Sequence, residues 1–177
     1  MDRGTRTRRR LLSVALPYLA CDADPRSVYI HIPFCRHRCG YCNFTLVAGR
    51  DELIETFLDV LEVELARVEG TREVDTIFYG GGTPSHLSES QLGRLGEIVA
   101  AKFALAEGAE VSAECNPADI NVEKLAGLQG LGVNRISLGV QSFNTDKLKR
   151  LERDHDGDLQ DVRLSYRWKS LATFPWI

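Results

Sequence analysis

Cys35, Cys39 and Cys42 fall within eight consecutive residues, spaced C-x3-C-x2-C, directly after the apolar stretch Val28–Ile32. Thiolates are soft donors suited to zinc or to iron–sulfur clusters. Three of them on one tight loop can hold three corners of a metal cluster and leave the fourth open. An open metal position is where chemistry can take place. The same thiols could instead hold structural zinc, with His31, His37 or Cys115 as a fourth ligand. Zinc modules usually carry a second spaced cysteine pair, and this chain has none.

Three further features lie at the ends of other such stretches. Gly80-Gly81-Gly82-Thr83-Pro84 comes after Thr76–Tyr79, Glu114 ends Glu110–Glu114, and Gln141 follows Arg135–Gly139; Arg153, in the next helical segment, is by itself a lone arginine. A glycine run lets a backbone approach a ligand closely because no Cβ intervenes; taken alone, it is equally a plain turn. Glu114 alone is equally a capping or surface carboxylate, and a lone arginine on a helix is usually solvated. Arg36, His37 and Arg38 favour the thiolate form electrostatically or simply face solvent. Cys115 has buried packing as its default role.

These residues must be positioned by alternating strands and helices. The first strand is expected at Val28–Ile32. A helix over Asp51–Val68 places Ile54, Phe57, Leu58, Leu61, Leu65 and Val68 on one face and ends near Gly70. The second strand is Thr76–Tyr79. Ser88 and Gln91 form a capping-box pattern for a second helix, with Leu92, Leu95, Ile98 and Val99 inward. The third strand is Glu110–Glu114, ended by Asn116-Pro117. A third helix carries Val122, Leu125 and Leu128 and stops near Gly130–Gly132; the fourth strand is Arg135–Gly139 and a fourth helix starts after Asn144. The absence of hairpin signals points to right-handed βαβ units and an α/β parallel sheet. Every candidate except Arg153 then lies at or just past the C-terminal end of a strand, the rim where ligands bind in such folds. The fourth strand would be left as an open edge.

Length and composition, 177 residues with 44% apolar and 27% charged, are those of one ordinary globular domain. The net charge is −3, yet the first 26 residues carry six arginines against three aspartates, so the body is acidic and a poor prospect for nucleic acid. Five cysteines, three of them crowded, do not suggest a secreted disulfide framework; free thiolates suit a reducing compartment, so a cytoplasmic location is expected. Arg6, Arg8, Arg9 and Arg10 before Leu11–Leu16 loosely mimic an export signal, but the apolar run is too short to span a membrane. Residues 1–26 are read as an unstructured basic arm or an early start codon.

The wording YIHIPFCRHRCGYC, FYGGGTP, ECNP and RISLGVQSFN resembles the radical S-adenosylmethionine (SAM) superfamily. Within it, the resemblance is to the oxygen-independent coproporphyrinogen III oxidase family, which includes the HemW-type heme chaperones. It covers roughly Ser27 to Asp156 and implies a partial parallel (β/α) barrel with about four of six βα units. It implies that Cys35, Cys39 and Cys42 bind a [4Fe–4S] cluster whose fourth iron takes the amino and carboxylate groups of SAM. An electron from the cluster then cleaves SAM to methionine and a 5′-deoxyadenosyl radical. By the same resemblance Tyr29 sits beside SAM, Gly80, Gly81, Gly82 and Thr83 line its methionine end, and Glu114, Gln141 and Arg153 contact its polar groups. A heme or porphyrin ligand, an electron donor such as flavodoxin or ferredoxin, and a heme-accepting apo-protein are the implied partners.

Three departures qualify the resemblance. The oxidases continue the motif to C-x3-C-x2-C-x-C, where this chain has Phe44, as the heme-chaperone branch does. The family has a glycine before the arginine equated with Arg153; here it is Glu152. Residues 157–177 carry both tryptophans, Trp168 and Trp176, and no strand–helix punctuation, and are read as an atypical tail left by truncation or a shifted frame. The expectation is a chain that binds a cluster, with SAM- and heme-handling sites incomplete and little turnover.

Overall fold

The computed structural model describes residues 24–153 and residue 155. The elements in order are β1 (Ser27–Ile32), β2 (Phe34–Cys35), β3 (Val47–Ala48), α1 (Ile54–Ala66), β4 (Arg72–Gly81), α2 (Glu89–Ala100), β5 (Phe103–Cys115), α3 (Val122–Gly130), β6 (Arg135–Leu138) and α4 (Thr145–Arg150). Residues 1–23 and the tail from 157 lie outside the described residues.

β1, β4, β5 and β6 form one sheet in that order, and every neighbouring pair is parallel. Each helix carries the chain back so that the next strand starts at the same end, which is what a βαβ crossover requires. β2 and β3 make a separate two-residue parallel pairing. Neither was expected from sequence, because two residues are too few to show an alternation.

One sheet face is covered and the other is not. Ile30, Ile32, Ile77, Tyr79, Val111 and Ala113 are buried, together with Ile54, Leu58 and Leu61 of α1 and Leu92, Leu95, Ile98 and Val99 of α2. Side chains alternate across a strand, so Tyr29, His31, Phe78, Ser112, Glu114, Arg135 and Ser137 share the opposite face, which corresponds to the inside of a barrel. In the strand register, Gly80 stands beside His31 and, one position past the Tyr79–Ala113 pair, beside Glu114, which in turn pairs with Ser137.

The helix starts follow local chemistry. Ser88 and Gln91 make the full capping box of α2, and Asn121 and Asn144 accept the Lys124 and Lys147 amides to start α3 and α4. Lys124 is buried, its ammonium bonded to the Leu87 carbonyl and 3.4 Å from Glu89, which ties α3 to the start of α2. Val122, expected on the inward face of α3, is 61% exposed. β4 and β5 run well beyond the expected cores. Their first halves pair as Arg72–Phe103 to Val74–Leu105, then the register jumps so that Thr76 faces Glu110. Gly108, at φ 75°, sits in the extra length, and that break hid the strand from an alternation argument.

Leu92→Ala empties a fully buried position and is expected to cost about 2–5 kcal/mol. Val60→Ala, at a site on α1 that is 59% exposed, should stay within about 0.5 kcal/mol. Denaturant unfolding of the two variants checks the contrast.

Candidate metal centre

Cys35, Cys39 and Cys42 line one cavity of about 320 Å³ with the ends of three sheet strands: Gly81, Gly82 and Thr83 after β4, Glu114 and Asn116 at β5, and Gly139 and Gln141 after β6. Arg153 closes it from the turn after α4. Of the residues that the resemblance assigns to SAM, Tyr29 and Gly80 are not in that lining. Tyr29 lies on the open sheet face, where its ring stacks on Phe78 at 5.8 Å, and Gly80 pairs with His31.

The cysteine loop has no helix or long strand of its own. β2 holds its first residue, the Cys42 amide donates to the Cys39 carbonyl at 2.9 Å, and the Gly49 amide donates to the Cys35 carbonyl at 3.0 Å. The three basic side chains all have protein partners, although Arg36 and Arg38 stay exposed. Arg36 reaches Asp119 at 3.4 Å, His37 Nε2 donates to the Glu152 carbonyl at 2.7 Å, and Arg38 donates to the carbonyls of Cys42, Phe44 and Leu46. Phe44, two positions after Cys42, lines the cavity and is 68% exposed.

The glycine run carries the loop. The Gly82 amide donates to the Ile32 carbonyl at 2.7 Å and the Thr83 amide to the Phe34 carbonyl at 2.8 Å. A Cβ on Gly82 would stand 2.7–2.8 Å from Phe34 and Pro33 backbone atoms, and one on Gly81, at φ 116°, would stand 2.6 Å from the His31 ring. At Gly80 it would meet Phe78 at 2.6 Å and Glu114 at 3.1 Å. The missing side chains therefore make room for the protein's own strand, loop and carboxylate.

Glu114 accepts from the Gly81 amide at 3.0 Å through Oε2. Gln141 holds φ 63°, an uncommon conformation for a residue with a side chain. Arg153 Nη2 donates to Gly139 O at 2.8 Å and Asn116 Oδ1 at 3.0 Å, while Nη1 lies 3.7 Å from Cys39 Sγ and 3.5 Å from the Tyr41 hydroxyl. The guanidinium thus joins the cysteine loop to the strand ends. Asn116, Asp119 and Ser85 were not singled out beforehand. Ser85 donates to Asp119 at 2.9 Å and accepts from the Asn116 amide at 2.9 Å, beneath Arg36. Asn116 follows β5 directly and lies within the ECNP stretch, the sequence signals that mark it.

The turn after α4 is a Schellman motif. The Arg153 amide donates to Leu148 O at 3.0 Å and the Glu152 amide to Lys149 O at 3.1 Å, with Glu152 at φ 54°. That position calls for glycine, which accounts for the family's glycine where this chain has Glu152.

Burial pushes the Cys35 thiol up, and its contact with the Thr83 hydroxyl at 3.1 Å works the other way. Tyr29 is raised by burial and then by the Glu114 charge. Cys115 is pushed up to about 12 by burial, in keeping with a packing role.

The donor set suits a cluster. Three soft thiols on one loop face a cavity whose far wall is polar and backbone-lined. Two of the candidate fourth zinc ligands have backbone partners, His31 Nε2 donating to Thr45 O at 2.9 Å and His37 to Glu152 O, and Cys115 is buried where it borders the same cavity. Among the described residues no three His, Cys, Asp or Glu side chains are grouped closely enough to hold a metal ion, the three cysteines included.

Residues 29–160 match the radical SAM superfamily. The chain belongs to the radical SAM superfamily. Within it, the likeness is to the group that holds heme chaperones and oxygen-independent coproporphyrinogen oxidases. The chain is 45% identical to the heme chaperone HemW of Escherichia coli K12 over 136 residues, 74% of this chain and 36% of that protein. It is 40% identical to HemW of Bacillus subtilis 168, over 73% of this chain and 35% of that protein. The solved structure of E. coli coproporphyrinogen III oxidase (HemN), titled a radical SAM enzyme, superposes with a TM-score of 0.71 at 34% identity, covering 78% of this chain and 33% of that one. The chain thus spans about a third of the relatives it matches, and its parallel sheet is part of the radical SAM barrel. Among the described residues no helix is long and apolar enough to cross a membrane.

Two substitutions check the steric reading. Gly82→Ala forces backbone apart under the loop and should destabilise by about 1–3 kcal/mol, whereas Gly93→Ala in α2, with nothing within 4 Å, should gain up to about 1 kcal/mol. Glu152→Gly relieves the left-handed residue and should gain about 1 kcal/mol, a melting temperature higher by about 2–4 °C in calorimetry.

Proposed function

We propose that Cys35, Cys39 and Cys42 hold a [4Fe–4S] cluster with SAM at its fourth iron, within a radical SAM core of residues 27–156, and that the protein serves heme delivery. The convergence of the three thiols with Glu114, Gln141 and Arg153 on one cavity carries this reading. When bound, the cluster and SAM together supply one-electron cleavage of a sulfonium carbon–sulfur bond.

The chain's own residues have definable tasks in this reading. The Thr83 hydroxyl stabilises the Cys35 thiolate, offsetting the cost of its burial. The Arg153 guanidinium lies 3.7 Å from Cys39 Sγ and holds that sulfur near the strand ends. Glu114 keeps one oxygen on the Gly81 amide and has the other for an ammonium group. Gly81 and Gly82 carry backbone along the cavity wall, and the Gln141 amide stands across it for a polar group of the ligand. Tyr29 stands on the open sheet face beside Glu114.

Phe44 supports the chaperone branch, since the family's oxidases have a further cysteine there. The similarity to HemW supports it as well. The likeness to the solved oxidase favours a second reading, conversion of porphyrinogen propionates to vinyls. Delivery requires heme as cargo, an accepting apo-protein and an electron donor of the flavodoxin or ferredoxin kind.

Anaerobic reconstitution should give brown protein with iron and sulfide and a paramagnetic signal on reduction. Serine at any one of Cys35, Cys39 or Cys42 should lower the iron content sharply. Added heme should give a Soret band, with little 5′-deoxyadenosine and no protoporphyrinogen formed. Iron-free, zinc-loaded protein would falsify the cluster assignment, and protoporphyrinogen formation would move the reading to the oxidase.

A further inference from the structure

We propose that His37 is a positioning residue. Through its bond to the Glu152 carbonyl, it clasps the cysteine loop onto the turn after α4 and so fixes the second cysteine before any metal arrives. The role in metal binding rests on the cluster reading above.

The loop from residue 36 to residue 46 has no regular secondary structure, so its conformation depends on what grips it from outside. Arg36 holds its start, and among the described residues Arg38 bonds carbonyls of the loop itself. At the Cys39–Gly40 apex the grip comes from the Glu152–Arg153 turn. His37 Nε2 donates 2.7 Å to Glu152 O, and the same nitrogen lies 3.7 Å from Cys39 Sγ. The Arg153 guanidinium reaches that sulfur at 3.7 Å from the same turn. The Glu152 carboxylate lies against Gly40, 3.4–3.6 Å from where a Cβ would stand.

The geometry of the turn sets the clasp. In a Schellman motif the left-handed residue reverses the chain, so its carbonyl leaves the helix direction. Glu152 is that residue, and its carbonyl is the one His37 uses. Holding an ordered loop costs backbone entropy at every residue it fixes. Contacts formed in the metal-free chain meet part of that cost beforehand, which is the value of pre-organisation.

The test uses the full, reduced, metal-free chain. Iodoacetamide labelling is followed at each cysteine by mass spectrometry in the unaltered protein, His37→Ala and His37→Gln. His37→Ala should label several-fold faster at Cys39, with buried Cys115 unchanged, and His37→Gln, which keeps a side-chain N–H, should restore most of the protection. An unchanged Cys39 rate in His37→Ala overturns the proposal, as does a rise at Cys115 as large as that at Cys39, which signals general loosening. Iron uptake by the unaltered chain is measured alongside. Its absence overturns the cluster reading on which the role depends, whereas normal uptake with an unchanged Cys39 rate overturns the clasp alone.

Discussion

The centre depends on one close passage of backbone over backbone. Where β4 runs out, the chain goes directly under Ile32–Phe34, close enough for two successive amides to reach the Ile32 and Phe34 carbonyls. Position 82 has no room for a side chain, since a methyl on Gly82 would stand within 2.8 Å of main-chain atoms that cannot move aside. That contact ties the start of the cysteine loop to the sheet and delivers the Thr83 hydroxyl to Cys35. Glycine at these positions serves the protein's own packing first, and the bared backbone along the cavity follows from it.

The rest of the loop is controlled from the far side of the cavity. Arg153 bonds Gly139 and Asn116 at the ends of β6 and β5 and reaches Cys39 and Tyr41 in the loop, so one side chain spans parts of the chain more than a hundred residues apart. The parallel sheet makes this possible. All four strands end at the same rim, so groups distant in sequence become neighbours without any long connection. Apolar packing of α1 and α2 on one face stabilises the sheet, and the opposite face keeps Tyr29, His31, Glu114 and Arg135 free of that core.

Position 44 shows how a family's chemistry can turn on a single side chain. Phe44 projects at the cavity mouth on a loop whose carbonyls are bound by Arg38. An exposed ring there offers apolar surface and no metal donor, so the loop presents three thiols and no more.

The sequence by itself determined the three thiols, the strand–helix alternation, the capped helix starts and the placing of candidate residues at strand ends. Those features are local: spacing within eight residues, a period of two or 3.6, and a serine three positions before a glutamine. It also pointed to Glu152 as a departure, without the reason. Only the tertiary structure decided that Tyr29 and Gly80 stand outside the cavity lining, that the glycines make room for protein, and that Arg36, His37 and Arg38 are engaged. It also brought Asn116, Asp119 and Ser85 under the loop. These facts rest on contacts between segments far apart in the chain. No local pattern encodes such contacts, because they are set by how strands and helices pack.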